Sequence, residues 1–177
     1  LVKPRQVTEG AVFKSNRYSY QTIQKIKDGY LRRFDNGQVQ TFDNNGRLVR
    51  VADKNGNYVT LAYDKTGHLA SLQDNLNRRM LFTFNSMGKV EKIVGEGCKT
   101  VTYKYIGLDL VSSKDADGNV YEYKYSQNGR HNLVEIKYSD KTNMQIGFFE
   151  MNKCENVKWV KDRDNTVTQY DYTGECN

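Results

Sequence analysis

Chemistry in this chain would have to come from a small set of side chains. There are two histidines, His68 and His131, three cysteines, Cys98, Cys154 and Cys176, and a single tryptophan, Trp159. Nucleophilic catalysis needs a base beside its nucleophile and a third group that orients the base. His68 follows a turn glycine, at a position that Arg47 and Lys89 hold in neighbouring segments, and His131 lies just after Gly129. Both read as variable surface positions, and no catalytic residue is assigned. The cysteines match no zinc spacing. Asp53-x-Asn55-x-Asn57 has the spacing that opens a calcium loop, but Tyr58 stands where such a loop needs glycine. Turn chemistry explains those Asp and Asn residues equally well. The expectation is a protein without metal, cofactor or enzymatic activity.

The elements that carry these residues are strands. The chain of 177 residues holds 13 Tyr, 7 Phe, many Val and Thr, and 14 Gly at regular intervals, with one proline, Pro4. That length allows one domain, or a piece of a larger one. The formal charge of +6 comes from 27 basic and 21 acidic residues scattered along the chain without a run of like charge. This describes a solvated basic surface and argues against a nucleic-acid partner. No apolar stretch approaches the roughly 18 residues of a membrane-spanning helix, and no signal peptide is visible. Leu1 is not an initiator methionine, so the chain is expected to be processed or cut from a longer one.

Residues 1–27 read as a lead-in or capping segment, and residues 28–177 as a repeat domain. Tyr30 to Phe34, Asp35-Asn36-Gly37 and Gln38 to Phe42 form a hairpin pattern. Turn glycines then recur at Gly46, Gly67 and Gly88, 21 residues apart. Tyr63-Asp64-Lys65-Thr66-Gly67-His68-Leu69 returns as Phe84-Asn85-Ser86-Met87-Gly88-Lys89-Val90. About six units of roughly 21 residues follow, each with two strands and two turns, a period typical of repeat architectures. Aromatics alternate with Lys, Glu or Thr, as in Tyr121-Glu-Tyr123-Lys-Tyr125, which puts aromatics on one face. The aliphatic strands instead place apolar residues three apart: Leu48/Val51, Leu69/Leu72, Val90/Ile93, Leu133/Ile136 and Val157/Val160. Either a bulge re-aims one member of each pair, or both faces are partly covered.

The units Tyr63-Asp64-x-x-Gly67-x-Leu69 and Asp117-Gly118-Asn119-x-Tyr121-x-Tyr123 resemble the YD repeat of RHS-repeat proteins, over about Asp28 to Asn177. Departures are the shifted Gly107, a missing glycine near Lys153 and a longer step from Tyr125 to Phe149. The resemblance implies an all-β fold of tandem YD repeats, a curved antiparallel meander that is a segment of a spiral shell. In large bacterial toxins of this family the shell encloses a toxic C-terminal domain, and related shells occur in animal cell-surface adhesion proteins. These residues carry neither the family's core-associated segment with its self-cleavage site nor a cargo, so a short curved sheet is expected rather than a closed shell.

The expected function is therefore a non-catalytic structural scaffold of a bacterial secreted or cell-surface protein. The alternative is a free-standing, adhesin-like module that binds glycans or a protein partner through its aromatic face. Self-association through the open sheet ends is expected, because terminal repeats need caps. Trp159 is the candidate contact residue, since other units put Arg50, Ser71, Lys92, Ser113 and Glu135 in its slot. Cys154 and Cys176 occupy near-equivalent positions of successive units and form a candidate disulfide, with Cys98 left as the odd thiol. Such a bridge fits an extracytoplasmic compartment; the alternative is three free thiols.

Overall fold

The computed structural model describes residues 7–14, 17, 20–149 and 155–173, apart from the Cys98 side chain. The fold is all-β, with sixteen strands hydrogen-bonded in chain order in one open sheet. They are β1 (Val12–Lys14), β2 (Gln21–Ile26), β3 (Gly29–Phe34), β4 (Val39–Phe42), β5 (Leu48–Ala52), β6 (Tyr58–Tyr63), β7 (Leu69–Asp74), β8 (Arg79–Phe84) and β9 (Val90–Val94). After a three-residue 3₁₀ turn at Glu96–Cys98 come β10 (Thr100–Ile106), β11 (Asp109–Lys114), β12 (Val120–Tyr125), β13 (Leu133–Lys137), β14 (Asn143–Phe148), β15 (Val157–Lys161) and β16 (Val167–Gln169). The chain divides into two compact units, residues 1–88 with 94–98, and residues 89–93 with 99–177.

In the first unit the register runs antiparallel from β1 to β8. Residues 12–14 and 21–26 are strands of this sheet, β1 paired with β2 and β2 with β3. The pairing puts Phe13, Ile23, Tyr30, Phe42, Leu48, Val51, Leu61, Tyr63, Leu69, Leu72 and Met80 on one face. Thr22, Arg33, Thr41, Arg50, Thr60, Ser71 and Arg79 lie on the other. In the second unit Tyr103, Tyr105, Leu110, Tyr121, Tyr123, Tyr125, Leu133, Ile136, Ile146 and Val160 share the apolar face. Lys104, Ser112, Glu122, Lys124, Glu135 and Lys137 share the polar one.

The threefold spacing of Leu48/Val51, Leu69/Leu72, Leu133/Ile136 and Val157/Val160 has one cause, a bulge repeated along the chain. Phe42 faces Leu48 while Thr41 faces Arg50, so Val49 has no partner. In the same way Ala70, Val111, Val134 and Lys158 are skipped opposite Ala62/Tyr63, Lys104/Tyr105, Lys124/Tyr125 and Gly147/Phe148. The extra residue returns the second aliphatic to the face of the first, and increases the local twist. The bulge reading of the sequence is thus the one that holds.

Among the described residues, no layer packs against the apolar face within either unit. Among the described residues only Gly29 and Ala52 are buried, and none of the large side chains is fully buried. Gly29 is fixed by sterics: a Cβ there would lie 1.8 Å from the Phe42 carbonyl oxygen.

Candidate functional site

The closing aromatic and the turn aspartate have separate jobs, which meet in the Tyr63-Asp64 dipeptide. The Tyr63 hydroxyl donates to the Leu48 carbonyl at 2.8 Å, and the Tyr125 hydroxyl to the Leu110 carbonyl at 3.0 Å. Both carbonyls sit on the residue before a bulge, where the ladder is interrupted and an acceptor needs another partner. Loss of hydration against this face, then the Asp109 charge, raises the Tyr125 pKa and keeps its hydroxyl a donor.

The aspartate organises the turn. Asp43, Asp53, Asp64, Asp74 and Asp115 each accept the backbone amides two and four residues on, at 2.8–3.0 Å, through Oδ1. Their own amides donate to the carbonyls four residues on, closing the hairpin. These bonds hold the carboxyls below the usual aspartate pKa. The largest pull comes from the Arg47 amide at Asp43, the Asn57 side chain at Asp53, the Thr66 hydroxyl at Asp64 and the Asn119 side chain at Asp115. At Asp74 lost hydration is the largest influence and pushes up, but Arg78 and the amides outweigh it. In the Asp117-Gly118-Asn119 turn it is Asp115, two residues earlier, that does this work; Asp117 donates its amide to it, and its carboxylate lies 3.8 Å from Lys99 Nζ. The Asp53 oxygens are likewise engaged by the amides of Asn55 and Asn57 and by the Asn57 side chain. Among the described residues no three His, Cys, Asp or Glu side chains converge as a metal site would require.

The residues after Gly46, Gly67 and Gly88 reach the aromatic that closes the next unit. The Arg47 guanidinium lies 5.1 Å from the Tyr63 ring centre, and Lys89 Nζ 5.1 Å from that of Tyr105. His68 stacks on Phe84 at 4.5 Å, with 19° between the rings. The ring is further tied through Nδ1 to the Thr66 hydroxyl at 2.9 Å. His131 Nδ1 meets Asp109 Oδ1 at 2.8 Å. Both histidines are thus engaged between repeats, and for His68 the signal in the sequence is the 16-residue step from turn residue to aromatic that Arg47 and Lys89 share.

Trp159 lies on the polar face opposite Gly147, next to Gln169 on the following strand. Its indole lies against the glycine: a Cβ at position 147 would come within 2.2 Å of Nε1. The bulges place Arg50, Ser71 and Glu135 in the equivalent slot, as the sequence pattern does. They put Ser112 there rather than Ser113, which pairs with Tyr121 on the apolar face. The sequence reading missed Gly147, although a glycine inside a strand often marks a close approach. Cys154 and Cys176 lie outside the described residues.

Residues 42–79 match the family model described as RHS Repeat. No curated protein matches the chain. Among solved structures it is similar to the Tc holotoxin pore of Photorhabdus luminescens with a TccC3 point mutation, at 12% identity and a TM-score of 0.56. It is similar also to TcdB2-TccC3 without its hypervariable C-terminal region, at 12% identity and a TM-score of 0.55. Each likeness covers 78% of this chain and 9% of the other, so this chain spans about a tenth of those proteins' length. The bulged meander and its aspartate turns agree with this match, and residues 42–79 carry the RHS repeat within an all-β sheet.

Proposed function

We propose that the chain is a non-catalytic structural segment of a larger secreted or surface-displayed RHS-type protein, with residues 28–177 as the repeat array and residues 1–27 as its lead-in. The observation that carries this reading is the use of the polar groups. Tyrosine hydroxyls, turn aspartates and post-glycine side chains repeat the same contacts from unit to unit, and these contacts hold strands together. A sheet whose apolar face has no layer of its own is suited to covering something else, because repeat units gain their burial from neighbours. The similar structures are a holotoxin pore and a TcdB2-TccC3 protein, which supports a setting in a protein assembly.

The test is the native form of the polypeptide. Antibody raised against residues 28–149 is used on fractions of the source cells and their medium. The reading expects a band several times the 20.5 kDa of this chain, in the medium or at the cell surface. A cytoplasmic band of about the chain's own mass would overturn it.

A further inference from the structure

We propose that the apolar face of β1 to β4 holds a binding groove for a small apolar carboxylate, with Arg32 as the anion anchor, independently of the scaffold role. The groove measures 420 Å³, within the size range of small-molecule sites, and Phe13, Ile23, Tyr30 and Phe42 form its apolar walls. In this chain by itself Phe13 and Ile23 are 45% and 40% exposed, so the walls are open to a ligand.

Arg32 is the unusual member. Alternation in Tyr30-Leu31-Arg32-Arg33-Phe34 places it on the aromatic face, while Arg33 points to the polar one. Its guanidinium is fixed by neutral groups alone. Nε donates to Gln21 Oε1 at 2.5 Å, Nη1 reaches Gln40 Oε1 at 3.4 Å, and the plane lies 4.6 Å from the Phe34 ring centre. Among the described residues no carboxylate comes within 4 Å of it, in contrast to Arg47, Arg78 and Arg163, each paired with an aspartate. One further cation near this face, Lys25, is likewise held by neutral groups. Lys25 Nζ donates to the Gly29 carbonyl and to Asn44 Oδ1, both neutral. Lys14 lines the groove beside Arg32. The part-buried Arg32 is thus held in place and left without a counter-ion in an apolar setting. A guanidinium so placed matches a carboxylate's two oxygens and gains more from it than it would in open water.

The experiment compares 4-phenylbutyrate with 4-phenylbutanol, of equal apolar bulk, by titration calorimetry on the whole chain. The expected result is binding of the acid about tenfold tighter than the alcohol, the scale of a charge-assisted hydrogen bond. Arg32→Met, which keeps the apolar stem, removes that preference. A readout on the unsubstituted protein guards against misfolding of the variant: the Arg32 side-chain Nε–H resonance shifts with the acid and not with the alcohol. Equal binding of acid and alcohol would reduce the groove to an apolar patch. That result, absence of binding by either, or an unmoved Arg32 resonance overturns the proposal.

Discussion

At the scale of single residues, the tyrosine that closes a unit makes a bulged strand tolerable. Every bulge leaves a backbone carbonyl beside an interrupted ladder, and the Tyr63 hydroxyl answers the one at Leu48. Tyr63→Phe should therefore cost about 1 kcal/mol, the net worth of a typical hydrogen bond, measured by urea unfolding. An unchanged midpoint would show that water serves that carbonyl as well. Phe84 occupies the equivalent position naturally, with His68 stacked on its ring, so packing rather than the hydroxyl is the constant requirement. The aspartates give a pH dependence of definite sign. Their carboxyls titrate lower in the folded chain than the roughly 3.9 of an unfolded one. A depressed folded pKa contributes stability that is fully present above the unfolded value and is lost as pH falls through the folded values. Melting temperature should hold level from pH 7 to pH 5, then drop below about pH 4. Asp64→Asn should blunt that drop, and a melting temperature unchanged down to pH 2 would contradict the turn assignment.

At the scale of elements, the turns and bulges set the register, and here the sequence is most informative. The 21-residue glycine period, the alternation of aromatics and the hairpin at Asp35-Asn36-Gly37 carry straight into β3 to β8. Periodicity could not choose between a bulge and a two-sided sheet, because both give apolar residues three apart; only pairing with the neighbouring strand decides. The contact between Trp159 and Gly147 was hidden for the same reason: twelve residues separate the two, and cross-strand register alone unites them. Gly147→Ala should destabilise by driving a methyl into the indole. Trp159→Ala in the same chain should remove most of that penalty, leaving a coupling of about 0.5–3 kcal/mol in a double-mutant cycle. Simple additivity of the two would mean the ring does not rest on the glycine. The fourth turn residue has left-handed φ throughout, +91° at Gly67 and +69° at Lys141. Substitution should therefore act with opposite signs at these two places. Gly67→Ala should lose, and Lys141→Gly gain, on the order of 1 kcal/mol in thermal unfolding. Neither shift would appear if those turns relax to negative φ.

At the scale of the whole molecule, the central proposal is that this chain presents an apolar sheet face for the rest of a larger protein to cover. The sequence announced the face through its tyrosines and aliphatic pairs; it was silent on covering, since burial by another layer leaves no period of its own. Met80 and Leu81 offer an internal control. They are consecutive in β8, 43% and 48% exposed, and lie on the apolar and polar faces respectively. Hydroxyl-radical footprinting of the isolated chain, compared with the full-length native polypeptide that carries it, tests the claim most directly. The account predicts that Met80 oxidation falls several-fold in the full-length protein while Leu81 oxidation stays the same. Equal oxidation of Met80 in the two forms, or equal protection of Met80 and Leu81, would contradict it.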